Sequence, residues 1–239
     1  MKQIVIVTGA SRGLGLAISQ RLAADGYKVL AVSRSDSLEL NVLCNGKSVF
    51  FEPFDLSDTS KIHEWVGGLI KRHGRIYGLV NNAAVGTDGV LATMHERDIA
   101  NLLLVNLHSP ILLTKYVSRS MLISGSGRII NISSIIGSTG FSGLSVYAAT
   151  KAGLIGFTKS LSREVGKAGI TVNCVAPGFM DTEMTRGIAP EKLMSIKRRS
   201  PSGKLASVTS VAASVSFLLG EGGGMINGTT LTVDAGSTA

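Results

Sequence analysis

The stretch SSIIGSTGFSGLSVYAATKAG, residues 133–153, carries a tyrosine and a lysine four residues apart, Tyr147 and Lys151, downstream of two adjacent serines. If the segment is helical, Tyr147 and Lys151 share one face. A phenol with an ordinary pKa of about 10 exchanges protons poorly at neutral pH. A neighbouring ammonium group favours the phenolate and brings proton exchange within reach. A serine hydroxyl at Ser134 could hold and polarise a carbonyl oxygen. The set would then deliver a proton to an oxygen or remove one from it. Spacing alone leaves the other reading open, because Tyr-x-x-x-Lys also occurs on purely structural helices.

The elements that must position these groups are legible from hydrophobic patterning. IVIVT (Ile4–Thr8) is a continuous apolar run, as expected of a parallel strand covered on both faces. Apolar residues then recur at helical spacing from Gly13 to Ala24. Strands are expected at Lys28–Ser33, 48–53, 77–82, 127–133, 170–176 and 229–234. Helices are expected at about 59–72, 96–122, 146–167 and 208–219, the second of these as one long segment. Strands alternating with helices imply right-handed crossovers and a single-domain, doubly wound parallel sheet, Rossmann-like, over residues 1–239. In such a sheet ligands bind beyond the carboxyl ends of the strands. The polar and glycine-rich segments TGASRG, SRS, DLSD, NNAA, SSIIG and APGF fall at those ends.

The first of them, TGASRGLG (residues 8–15), ends a strand and opens a helix. Its glycines permit positive φ and close approach of a phosphate, and the helix start offers unpaired N–H groups. The spacing G-x-x-x-G-x-G departs from the G-x-G-x-x-G fingerprint, so position after the first strand carries more weight than the glycines themselves. The second strand ends Val32-Ser33-Arg34, where an NAD site of this architecture places an acid. Arg34, with Arg12, is suited instead to the 2′-phosphate of NADP(H). Asp36, farther along, is the competing candidate.

Composition narrows the function classes. The chain of 239 residues is 44% hydrophobic and 17% charged, with 5 prolines and a net charge of +8. The basic excess suits an anionic cofactor, substrate or partner. With only 5% aromatic residues and no long basic block, nucleic acid is not an expected partner. No apolar run reaches the roughly 18 residues that cross a bilayer, and no membrane is expected. Cys44 and Cys174 make neither a disulfide framework nor a metal cluster, and a cytoplasmic location is the simple expectation. His63, His73, His95 and His108 lack metal-ligand spacing, so no metal site is expected.

In order along the chain, TGASRGLG, NNAA, SSIIG, YAATK and APGF resemble the short-chain dehydrogenase/reductase family, over essentially the whole chain. The resemblance implies that Ser134 orients a substrate carbonyl, that Tyr147 is the general acid in reduction, and that Lys151 lowers its pKa and binds the nicotinamide ribose. Asn106 matches the family asparagine that holds a proton-relay water. Spacing to Tyr147 favours Ser134 over Ser133. By the same resemblance the cofactor contacts are Gly9, Ser11, Arg12, Gly13, Leu14, Gly15, Ser33, Arg34, Asp55, Leu56, Asn82, Ala83, Tyr147, Lys151, Pro177, Gly178, Met180 and Thr182. Ala84 stands where glycine is commonest.

VNCVAPGFMDTEMT and INGTTLTVDAG look most like the 3-oxoacyl-acyl-carrier-protein reductases of the family, which use NADPH. Residues 181–204 would form a basic substrate lid suited to an acyl carrier protein or to coenzyme A phosphates. One departure is Ala168, where family members often carry an arginine implicated in carrier docking. The alternatives are an enzyme acting on a small non-acyl carbonyl or secondary alcohol, and a cofactor-binding sensor without turnover. The resemblance also implies a homotetramer, through helices near 101–122 and 146–167.

Overall fold

The structure, a computed structural model, describes residues 2–180 and 190–239. The chain begins with β1 (Ile4–Thr8), α1 (Gly13–Ala24), β2 (Lys28–Ser33), α2 (Leu38–Cys44) and β3 (Val49–Pro53). It continues with α3 (Ile62–His73), β4 (Ile76–Asn81), α4 (Glu96–Leu103), α5 (Ser109–Ser124) and β5 (Gly127–Ile132). Then come α6 (Ile136–Thr139), α7 (Ser145–Val165), β6 (Ile170–Pro177), α8 (Pro190–Arg199), α9 (Val208–Leu219) and β7 (Thr230–Val233).

Among the described residues the strands form one seven-stranded sheet in the order β3-β2-β1-β4-β5-β6-β7, with every pairing parallel. The β-branched run of β1 is buried along its whole length and feeds two cores, because successive side chains point to opposite faces. Val5 and Val7 join Ile18 and Leu22 of α1 and Val211 and Val215 of α9. Ile4 and Ile6 join Val66 and Leu69 of α3, Leu113 and Val117 of α5, and Leu161 of α7. Strand order reverses between β1 and β4, and that crevice is where the doubly wound architecture places ligands.

Several elements depart from the sequence expectation, among them the short α6 and α8, which it did not include. The helix expected over 96–122 is interrupted by a π-helical turn, Leu104–His108. Pro110, at the start of α5, has no N–H to return a helical bond to the Asn106 carbonyl, so the regular ladder cannot run through this point. Helix α2 was not anticipated; Ser37 caps it, accepting from the Leu40 N–H at 3.1 Å.

Polar side chains also thread the interior. Asn81 of β4 stands opposite Asn131 of β5, and its Nδ2 donates to Asn131 Oδ1 at 2.8 Å and to Thr114 Oγ1 on α5 at 2.9 Å. Asn131 Nδ2 in turn donates to Thr158 Oγ1 on α7 at 2.9 Å. All four side chains are buried.

Candidate active site

Thr8, the last residue of β1, joins the two strands that flank the crevice. Its Oγ1 accepts from the Asn82 N–H at 2.9 Å and the Ala83 N–H at 3.0 Å, and Asn82 Nδ2 donates to the Thr8 carbonyl at 2.8 Å. The loop after β1 is thereby fixed against the loop after β4. Gly9 has φ +67°, and a Cβ there would press on the Ala83 backbone. A Cβ at Gly15 would collide with the Gly9 carbonyl oxygen, whereas one at Gly13, φ +55°, would project into open space. The loop therefore closes tightly on the helix yet leaves room outside Gly13. Arg12 is the N-cap residue of α1 without a side-chain cap, and the first turn holds no acid. This cradle of glycines and helix N–H groups suits a pyrophosphate.

The other cofactor candidates line the same edge. Ala10 N–H donates to the Val32 carbonyl at 3.1 Å, bringing the glycine loop, with Ser11 and the buried Leu14, beside the end of β2. Arg12 and Arg34 are both exposed there, and Ser33 Oγ donates to the Ser35 carbonyl at 2.9 Å. Asp36 accepts from Asn41 Nδ2 at 2.9 Å, which ties it to α2. Asp55 is exposed and accepts from the Ser57 N–H and Oγ, while Leu56 is buried and its carbonyl accepts from Ser109 Oγ at 2.6 Å. After β6, Gly178 N–H donates to the Val233 carbonyl at 3.0 Å, and a Cβ on Gly178 would strike Asp234. Pro177 ends β6, and Met180 forms a parallel bridge with Ala206. Thr182 and the first part of the expected lid, 181–189, lie outside the described residues. The remainder includes α8, whose last turn is Lys197, Arg198 and Arg199.

Ser134, Tyr147 and Lys151 come together at the exit of β5. Tyr147 lies in the first turn of α7 and Lys151 one turn later. Ser134 stands beside the Tyr147 hydroxyl and favours its phenolate, and its Oγ accepts from the Ile136 N–H at 3.2 Å. The Lys151 ammonium lies 5.5 Å from the Tyr147 ring centroid and donates to the Ile132 carbonyl at 2.9 Å. Burial is the largest influence on both groups. It pushes the Tyr147 phenol up, with Ser134 opposing, and draws the Lys151 ammonium down to about 8. The expected lowering of the phenol by Lys151 is thus not what the protein's own groups produce, because desolvation acts on phenolate and ammonium alike.

Asn106, fully buried in the π-helical turn, is used by its side chain elsewhere. Its Oδ1 accepts from the Val85 N–H and its Nδ2 donates to the Val85 carbonyl, both at 2.8 Å. The amide thus holds the NNAA loop, and any part in a proton relay falls to the Asn106 carbonyl, which Pro110 leaves without the α-helical bond. Sequence reasoning missed the tie from Ser37 Oγ to the Ser11 carbonyl at 2.6 Å, which braces the glycine loop with α2. The Ser37-Leu-Glu-Leu signature of a helix start could have revealed it. It also missed Phe141 and Phe179, which pair edge to face at 6.2 Å across the loops after β5 and β6.

Comparison with known proteins decides the family. Residues 3–193 match the family model for short chain dehydrogenases. The chain belongs to the short-chain dehydrogenase family. It is 39% identical to the 3-oxoacyl-acyl-carrier-protein reductase of Salmonella typhimurium, over 98% of this chain and 96% of that protein. A protein of the same name from Mycobacterium tuberculosis is 36% identical, over 97% and 91%. Among solved structures, a double mutant of a Serratia marcescens short-chain dehydrogenase/reductase superposes with a TM-score of 0.92 at 32% identity, covering 99% and 98% of the two chains. A proposed gluconate dehydrogenase from Agrobacterium tumefaciens gives 0.95 at 25% identity, covering 99% and 96%. As a member of this family the protein is an oxidoreductase acting on CH–OH or C=O groups with a nicotinamide cofactor. Among the described residues no helix is long and apolar enough to cross a membrane.

Proposed function

We propose that the protein is an NADPH-dependent ketoreductase that converts a 3-oxoacyl thioester, carried on acyl carrier protein or coenzyme A, to the 3-hydroxyacyl product. The observation that carries this reading is the contact of Ser134, Tyr147 and buried Lys151 at one strand exit. A nicotinamide bound along the strand ends supplies the hydride. The chain's own residues do the rest. Ser134 Oγ holds the carbonyl oxygen, and the Tyr147 hydroxyl gives that oxygen its proton. The Lys151 ammonium stabilises the phenolate left behind and binds the ribose.

The glycine cradle and α1 would hold the pyrophosphate, and Asp55, Leu56, Asn82 and Ala83 the adenosine side and centre of the cofactor. Pro177, Gly178, Met180 and Thr182 would lie beside the nicotinamide. Arg34 and Arg12 favour the 2′-phosphate, since Asp36 is engaged by Asn41. The names of the relatives support a 3-oxoacyl substrate, and the Phe141–Phe179 pair supplies apolar surface for it. Residues 181–204 would serve as the lid, with its basic residues facing an acidic carrier. Ala168, in place of the docking arginine, favours a second reading, a small non-acyl carbonyl. A homotetramer built on α5 and α7 is part of the proposal; sedimentation of the pure protein measures it.

The test is oxidation of NADPH and NADH followed at 340 nm with acetoacetyl thioesters of acyl carrier protein and coenzyme A, beside a panel of small ketones. Turnover of the thioesters by wild type but not by Tyr147→Phe supports the proposal. Turnover of small ketones alone selects the second reading. Cofactor binding without any turnover would mean a sensor, and full activity in Tyr147→Phe would overturn the mechanism.

A further inference from the structure

Three successive residues leaving β5 each hold a different part of the Tyr147–Lys151 turn. The Ile132 carbonyl accepts from Lys151 Nζ at 2.9 Å. Ser133 Oγ donates to the Lys151 main-chain carbonyl at 2.8 Å, and Ser134 stands beside the Tyr147 hydroxyl. Ser133 is the residue that neither the chemistry nor the cofactor uses. We propose that Ser133 is a positioning residue for the reaction: its buried hydroxyl holds the Lys151 main chain against the strand end that presents Ser134.

Placement and chemistry support this. Ser133 is 3% exposed immediately after β5, next to Ile132, where an alanine or valine would fill space without a polar atom. A carbonyl oxygen has two lone pairs, so the Lys151 carbonyl can accept from Ser133 in addition to its own helix. The next turn of chain reinforces the hold, since a Cβ on Gly137 would come within 3.0 Å of the Lys151 carbonyl carbon and the Ala152 nitrogen. Lys151 is thus fastened at its side-chain tip by Ile132 and at its main chain by Ser133. Without the second fastening the helix turn can move along the strand, and the ammonium can then leave the Tyr147 ring for water.

The titratable groups facing Lys151 are Tyr147 from its own helix and Cys174 from β6. Cys174 has its thiol pushed up to about 11 by burial, so it is neutral at physiological pH. Lys151 is therefore the group of this cluster that changes charge near pH 8.

The inference rests on the reading of Tyr147 and Lys151 given above, and the experiment separates the two. Ser133→Ala is compared with wild type and Tyr147→Phe in thioester reduction from pH 6 to 10, in NADPH binding by fluorescence, and in thermal unfolding. With Ser133→Ala we expect kcat to fall about five- to tenfold, the size of one lost hydrogen bond. We expect substrate KM within about twofold, the alkaline limb of kcat displaced to higher pH as the ammonium reaches water, and weaker NADPH binding. Unchanged kcat, pH limb and NADPH affinity, with only a lower melting temperature, would show a packing role and overturn the inference while Tyr147→Phe remained inactive. An active Tyr147→Phe would instead overturn the underlying reading. If Ser133→Ala does not fold, Ser133→Thr keeps the hydroxyl and Ser133→Cys weakens it. A displaced pH limb in the cysteine variant alone supports the inference, and equal behaviour of the two overturns it.

Discussion

At the exits of β1 to β3, the groups placed to meet a nucleotide are main-chain atoms, glycines and exposed side chains such as Arg12, Arg34 and Asp55. At the exits of β5 and β6 the corresponding groups are Lys151, 2% exposed, and a half-buried tyrosine beside a serine. The first region is shape provided by the backbone, with charge added at the rim where it stays hydrated. The second keeps charge out of water and gives it fixed partners. Cofactor preference is therefore expected to change with surface substitutions that leave the fold intact. Proton transfer is expected to fail with single-atom changes.

The largest effect should come from the buried region. Tyr147→Phe removes one oxygen and is expected to lower kcat about a thousandfold, with NADPH affinity within a few-fold of wild type. Steady-state rates and fluorescence titration measure the two quantities. In the glycine loop, Gly15→Val puts side-chain atoms where the Gly9 carbonyl lies. It is expected to abolish nucleotide binding or to cost several kcal/mol of stability, about the upper range for a single substitution. A variant that binds NADPH normally would show that the loop yields where its geometry says it cannot.

A smaller change follows at the rim. Arg34→Ala is expected to weaken NADPH binding about ten- to a hundredfold and leave NADH within about twofold, as loss of a charge-assisted pair requires. Equal weakening of both nucleotides would place the 2′-phosphate elsewhere.

The smallest effect concerns pH. Lys151 titrates near 8 when folded and at its ordinary 10.5 when unfolded, so between these values the unfolded chain binds more protons. Stability contributed by this site therefore rises as pH increases from 8 to 10. Lys151→Met should remove this rise, a difference of about 2 kcal/mol between pH 8 and pH 10 in denaturant unfolding. An unchanged slope would mean that the ammonium is hydrated despite its burial.

The two regions also differed in how well sequence exposed them. Strand and helix order followed from apolar runs such as Ile4–Thr8, because a parallel sheet covered on both faces demands them. Ser134, Tyr147 and Lys151 became candidates because helix spacing and strand ends are local properties, and the family resemblance then gave them their roles. What stayed hidden depends on partners far along the chain. Thr8 reads as the last residue of a strand until Asn82 and Ala83 arrive beside it. Asn106 reads as a helix residue, although Pro110 four positions on was a signal that the helix could not run through regularly. The upward push of burial on the Tyr147 phenol stayed hidden for a related reason. Spacing gives the distance to a charge, whereas desolvation depends on everything packed around it.

The Asn81–Asn131 contact bears on how the chain reaches this arrangement. Parallel sheets depend on distant pairings and fold slowly, with time to try wrong ones. Sliding β4 along β5 by one residue would turn Asn81 toward the opposite face, away from Asn131, Thr114 and Thr158. Each buried amide stranded in this way costs about 1–3 kcal/mol, a penalty that a purely aliphatic pair would not impose. The polar seam thus acts as an alignment check between the two central strands. Passing it leaves the loop that starts at Asn82 and the one that carries Ser134 in their native register before any ligand arrives.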